Sequence, residues 1–354
     1  MHKDSNFAKA FYFLASITIF FWAINGLSNI LTPIAIAILI WFLINAFADQ
    51  IKRIPFLNNK IGEYISIPLS LVIIVYLMFE IGSFIASSMF TLSSTISSLD
   101  GKVMQLIEKL SVLTSFDLVT PLQKILQEFS LAMVINKVIS AFSTIFGNIV
   151  QILLYVLFLL LDQRFFNIKL NALFPNNEHK NRAKHVLISI SQSIKTYISI
   201  TTIISLATGF LTYLICEYFS LEGAVLWGFI AFVLNFIPTI GSIIAVLIPT
   251  IFAFIQLSLI SDVLILFTLL IIIQFVLGNI VQPRMMGDKL NISQFVVILS
   301  LVIWGAMWGT IGMFLSVPLM VILLIIFSQF ESTKKLAILI SGDGNILGIS
   351  QSIK

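Results

Sequence analysis

Apolar stretches recur from Phe7 to Phe330, separated by short polar turns. Several approach the length of about 20 residues that a helix needs to cross a bilayer. The pattern predicts an all-α polytopic helical integral membrane protein. Spans are expected near 10–27, 33–48, from Pro68 past Ile85, 145–161, 197–216 and 263–280. Pro33 is expected in the first turn of its helix, where a missing N–H costs nothing, behind a turn at Ser28–Thr32. The apolar run after residues 2–9 continues past Phe20 with no small-residue cleavage site, so it reads as a retained span and not a leader.

Two runs in the last third break the pattern in the same way. Trp227–Pro249 and Trp304–Pro318 each open with Trp-Gly, turn at Thr-Ile-Gly (Thr239–Gly241 and Thr310–Gly312) and close with proline. Glycine and proline weaken a helix, so each run should be two short helices around a turn. These are two interrupted hairpins, at 222–257 and 292–330. Irregular backbone at membrane depth is tolerated only where protein or a water-filled cavity surrounds it, and such paired interruptions mark transporter binding sites. Tight turns between ordinary full spans are the alternative.

Residues 99–143 have another period. Leu122, Ile125, Leu126, Phe129, Met133, Asn136 and Ile139 form one stripe of an amphipathic helix, with lysines and glutamates between. The pattern suits a helix on the bilayer surface, a small helical subdomain or a subunit contact alike. The chain thus divides into N-terminal transmembrane helices (1–98), an extracytoplasmic amphipathic segment (99–143), a transport core (144–330) and a cytoplasmic tail (331–354).

Charge adds orientation. Hydrophobic residues make up 59% and charged residues 10%, against about 25% charged in soluble domains. The basic residues concentrate in loops 49–63, 162–195 and 281–291 and at the termini, while 217–222 and 258–262 carry only acids. By the positive-inside rule both termini are cytoplasmic. The four lysines of 99–143 strain this scheme, and interfacial helices that use lysine for headgroups relieve it. The net charge of +4 therefore reads as topology, not as nucleic-acid binding. The single cysteine, Cys216, and three histidines in polar segments argue against an internal disulfide, a thiolate metal cluster or a buried histidine metal site, and no cofactor is expected.

Few polar groups lie within the spans. Glu80 is the one carboxylate well inside one, and a charge there costs about 2.5–3.5 kcal/mol on insertion scales. It reads either as an ion-coupling group for H+ or Na+ or as a protonated structural bond to a neighbouring helix. Asn235, Gln274 and Asn279 can donate and accept, which suits a hydroxylated solute or the joining of helices. Thr239, Ser242, Thr310 and Ser316 flank the turns. Pro238, Gly241, Gly312 and Pro318 shape them. Helix N-termini after each turn would present free N–H groups.

The motif Asn235-x-Ile237-Pro238-x-Ile240-Gly241 with Pro249 resembles the signature of the AI-2E family of bacterial membrane transporters. In order along the chain, Leu161-Asp162 with Arg164, Phe174-Pro175, Gln274, Gly278-Asn279, Pro283, Gly309, Gly312 and Val317-Pro318 agree with it. The likeness covers roughly 30–330. It implies a secondary transporter in the bacterial inner membrane that exports or takes up autoinducer-2 or exchanges sodium for protons, as a homo-oligomer, a pentamer. A passive oligomeric channel or a membrane scaffold are the other readings. No span contains histidine or paired aspartates, and no Walker sequence is present, so the chain reads as no enzyme.

Overall fold

The computed structural model describes residues 2–52, 64–84, 87, 140, 147–287 and 290–345. Apart from Ser140, the amphipathic segment 99–143 lies outside the described residues. Helices α1 (His2–Gly26), α2 (Ser28–Ile51), α3 (Tyr64–Phe84) and α4 (Ile149–Asp162) come first. A short 3-10 turn leads into α5 (Phe166–Leu173), which precedes the long α6 (Asn177–Tyr218). Next are α7 (Ala224–Leu234), α8 (Ile240–Gln256) and α9 (Ile260–Phe275). A π-helical segment, Val276–Val281, joins α9 to α10 (Gln282–Met286), and α11 (Gln294–Ser328) and α12 (Lys334–Ile340) close the order. The architecture is all-α, and among the described residues six helices are long and apolar enough to cross a membrane.

Two boundaries differ from expectation. The turn between the first two helices falls at Leu27, and Pro33 sits inside α2. The interruption is confined to Leu27 instead of extending over Ser28–Thr32. The basic stretch before the fifth span is no loop but the first half of α6, which runs unbroken for 42 residues. Asn176 caps it by accepting from the Glu178 N–H at 2.9 Å, and neither glycine nor proline intervenes before Gly209. At 1.5 Å per residue α6 is about 63 Å long, twice the hydrocarbon thickness of about 30 Å.

α6 is the spine of the fold. Its buried face carries Tyr197, Thr201, Ser205, Thr208, Gly209 and Thr212, a polar and small stripe at helical spacing. Thr208 returns its hydroxyl to the Ile204 carbonyl (2.8 Å), so this polar group is satisfied within the helix. α7 packs against α6 more extensively than any other pair of helices. Two glycines meet at that crossing. A Cβ on Gly209 would lie 2.7 Å from the Gly228 carbonyl, and one on Gly228 would lie 2.7 Å from the Gly209 carbonyl. Without bulk water to drive them together, membrane helices rely on such close backbone packing.

Both interrupted runs are helical hairpins. In the first, α7 (11 residues) and α8 (17 residues) fold about 235–239. In the second, α11 breaks at Gly309 (φ 63°, ψ −144°) into arms 294–308 and 310–328. The first hairpin hangs from the C-terminal end of α6 and the second from its N-terminal half. The foot of the first follows Tyr218 directly and is tied there: Gln256 accepts from the Glu222 N–H (2.9 Å) and donates to the Ser220 carbonyl (3.0 Å). The foot of the second packs Leu290 and Ile292 with Ile194 and Ile198, and Arg182 donates to the Gln329 carbonyl. At the tips Phe236 and Phe314 stack, with centroids 4.8 Å apart.

The α6–α7 contact leads to a stability prediction. Gly228→Val should lower the unfolding temperature of the detergent-solubilised protein by an amount corresponding to about 1–3 kcal/mol. Gly278→Ala, with nothing within 4 Å of an added Cβ, should leave it unchanged. Equal melting curves for both variants would mean that the crossing has slack to absorb a side chain.

Candidate functional site

The site begins with the turn of the first hairpin. Asn235 closes α7 by donating its backbone N–H to Ala231 (3.1 Å). Thr239 follows Pro238 at φ 61° and ψ −60°, and Ile240 donates its N–H across it to the Pro238 carbonyl at 2.6 Å. This is a γ-turn of the rare, strained hand, occupied by a β-branched residue that ordinarily avoids positive φ. Strain of this kind persists where surrounding structure over-determines it, and it concentrates at functional sites. The surrounding structure here is Gly241. Its Cα presses on the first arm so closely that a Cβ would stand 1.7 Å from the Leu234 carbonyl oxygen. The second hairpin repeats the device, with a Gly312 Cβ falling 1.9 Å from the Trp304 carbonyl oxygen.

The turn also alters one expectation. The N–H groups of Ile240 and Gly241 are spent on Pro238 and Ile237, so this helix start does not present a fan of free donors. Polar capacity comes from side chains instead.

Those side chains converge on a cavity of about 950 Å³ between the first hairpin, α9, the π segment and the foot of the second hairpin. Asn235, Pro238, Thr239, Ser242, Gln274 and Asn279 all line it. Asn235 is buried and donates its side-chain amide to the Ser205 hydroxyl at 3.0 Å, which leaves its carbonyl oxygen as the uncommitted end. Gln274 is 8% exposed, and its Oε1 has no hydrogen-bond partner. A buried acceptor without a partner costs about 1–3 kcal/mol, and this one belongs to a residue that lines the cavity. Gly278 and Asn279 lie in the π segment. Widening of one turn there interrupts the α-helical ladder at the cavity wall, a common feature of functional sites in helices.

The remaining sequence candidates stand elsewhere. Thr310 lies just past the break in the second hairpin, half-buried, and does not line the cavity. Gly312 and Pro318 are buried packing positions, although Val317 beside Pro318 reaches the cavity. Ser316 returns its hydroxyl to the Met313 carbonyl (2.7 Å). Glu80 is exposed on α3, apart from the cavity.

Sequence reasoning missed Tyr197, Gln282, Asn291, Gln294 and Asp343, all in the lining. Tyr197 was findable from the polar stripe of α6. Asn291 and Asp343 were not, being 52 positions apart. Asp343 is the one charged side chain among the described lining residues. The Asn345 backbone N–H, and then the Asn291 amide, hold its carboxyl below the usual aspartate range. Among the described residues no cluster of His, Cys, Asp or Glu could hold a metal ion.

Broken helices that face each other tip to tip, beside a cavity lined by neutral amides and hydroxyls in an apolar bundle, define a membrane transport protein. The chain belongs to the AI-2E transporter family, whose sequence profile matches residues 11–332. It is similar to a protein of Haemophilus influenzae named as a transport protein, 28% identical over 351 residues, or 96% of this chain and 98% of the relative. It is also similar to the AI-2 transport protein TqsA of Escherichia coli, 27% identical over 345 residues, or 95% of this chain and 96% of the relative. A third relative, from Borreliella burgdorferi, is 32% identical over 214 residues, 59% of each chain.

The turn glycines generate a prediction. Gly241→Val and Gly312→Val should abolish transport while membrane insertion persists, because the clash is with backbone carbonyls that cannot rotate away. Transport assays beside a surface-expression measurement check this. Full activity in both variants would remove the turns from the mechanism.

Proposed function

We propose that the protein is a secondary transporter that moves a small, neutral, hydrophilic solute through the cavity beneath the first hairpin. The unpartnered Oε1 of Gln274 carries this reading. An uncharged acceptor, buried beside other amides and hydroxyls, is matched by a hydroxyl-rich solute that donates to it. Autoinducer-2 is such a solute in view of the likeness to TqsA, and sodium–proton exchange is the second activity that family membership brings into consideration. Glu80, the one acid well inside a span, is the proposed coupling group for H+ or Na+. We place the protein in the bacterial inner membrane with both termini cytoplasmic, as a homo-oligomer, with a pentamer as the proposed state. A passive channel along the axis of such an oligomer is the alternative, and a scaffold role a weaker one.

The test uses proteoliposomes, a panel of labelled neutral, anionic and cationic solutes, and imposed proton or sodium gradients. Saturable, gradient-driven flux of a neutral polyol-like solute is expected. Gln274→Leu should raise its half-saturation at least about tenfold, corresponding to the loss of one buried hydrogen bond. Glu80→Gln should uncouple flux from the gradient yet leave exchange at equal concentrations. Large unitary conductance in planar bilayers, without saturation, would reject the transporter in favour of the channel.

Both hairpins are read as re-entrant. α6 rises about 34 Å between Lys195 and Tyr218, whereas α7 is about 16 Å long and the first arm of α11 about 22 Å. Tips hung from opposite ends then meet near the midplane, consistent with the Phe236–Phe314 stack. In a Cys216→Ser background, Thr239→Cys should be shielded or reached from outside, and Thr310→Cys should behave as its mirror image. Free cytoplasmic labelling at 239 together with free external labelling at 310 would make these arms full spans.

A further inference from the structure

The C-terminal segment returns over the foot of the second hairpin and builds part of the cavity's rim. Ala337 of α12 is fully buried against Leu324, with Ile292 and Phe327 packed around them. Beyond the helix, Ser341 pairs with Ile292 in an antiparallel bridge. Ser293 donates its N–H to the Ile340 carbonyl (2.9 Å), and Gly342 donates to the Asn291 carbonyl (3.1 Å). Asn291 adopts a positive φ of 36°, a conformation that asparagine tolerates better than most residues. Its side chain donates to Asp343 Oδ1 (2.7 Å) and to the Asn345 carbonyl (2.9 Å). The same amide accepts from the Gly342 N–H (3.1 Å). A second donor, the Asn345 N–H, reaches Asp343 at 2.8 Å. All of these tail residues lie beyond position 332, where the family match ends.

The carboxylate is thus fixed at the rim by two donors, while the rest of the described lining is neutral. We propose that the segment 334–345 is a strap that sets the charge selectivity of the cavity mouth, with Asp343, aimed by Asn291, favouring cationic and neutral solutes over anions. The proposal rests on reading the cavity as a water-filled solute path. It does not require that any particular solute be transported. A single fixed charge acts on a passing ion within about a Debye length, roughly 10 Å at 0.1 M salt and more at lower salt. Its sign is therefore felt by everything that crosses the rim.

Thiol accessibility tests this without a known substrate. The reporter is Gln282→Cys, a half-buried position of the cavity lining, in a Cys216→Ser background, in lipid nanodiscs. Probes are a cationic trimethylammonium methanethiosulfonate, an anionic sulfonate methanethiosulfonate and an uncharged methanethiosulfonate, each rate normalised to that with a small thiol in solution. At low ionic strength the cationic probe should react at least about threefold faster than the anionic one. Asp343→Asn, Asn291→Ala or high salt should each bring that ratio towards one, and Asp343→Asn should leave the uncharged probe's rate unchanged. A ratio untouched by Asp343→Asn overturns the proposal. So does a reporter that no probe reaches, because the mouth would then hold no water. Loss of solute flux with the ratio intact would reject the transport reading and leave the strap in place.

Discussion

Everything in this fold hangs on backbone meeting backbone where a side chain would not fit. Gly241 rests on the Leu234 carbonyl, Gly312 on the Trp304 carbonyl, and Gly209 faces Gly228 across the α6–α7 crossing. A lipid environment makes this arrangement necessary. An open turn at membrane depth would leave N–H and C=O groups without water, at several kilocalories per mole each. Pressing the second arm onto the first keeps the turn inside protein, and the short γ-turn bond at Thr239 satisfies what the helices leave over. The glycines are therefore conditions for having a hairpin at all, not accessories to its flexibility.

That compact turn determines the character of the cavity. Because the turn consumes its own N–H groups, the polar lining is made of side-chain amides and hydroxyls from the hairpin tip, α6, α9 with its π segment, α10 and the foot of the second hairpin. Neutral groups of this kind can exchange one set of hydrogen bonds for another at little electrostatic cost, whereas a buried charge would demand a counter-charge. The lone charged group among the described lining residues sits at the rim, held by the tail. In the proposed scheme, binding and screening by charge are thereby separated in space.

α6 connects these functions mechanically. Its first half holds the foot of the second hairpin through Arg182, Ile194 and Ile198. Its second half carries the first hairpin through Gly209 and Ser205. The rigid length between the two feet sets where the tips meet, and the Phe236–Phe314 stack is where that length is satisfied.

The local chemistry of the chain was enough to locate both hairpins, because glycine, proline and positive φ act within a few residues of one another. It was also enough to name Asn235, Pro238, Thr239, Ser242, Gln274 and Asn279, since polar groups in apolar runs are few and each is conspicuous. It could not show that these six share one cavity while Thr310, Gly312, Pro318 and Glu80 lie elsewhere. Membership in a cavity depends on which helix faces cross, and hydropathy is nearly uniform around α9 and α11. The basic half of α6 read as a loop because its charges resemble those of a loop, whereas continuity of a helix depends on the absence of a break. The Asn291–Asp343 contact left no trace at all. It joins two short polar segments 52 residues apart, brought together by the burial of Ala337 against Leu324 and the pairing of Ser341 with Ile292.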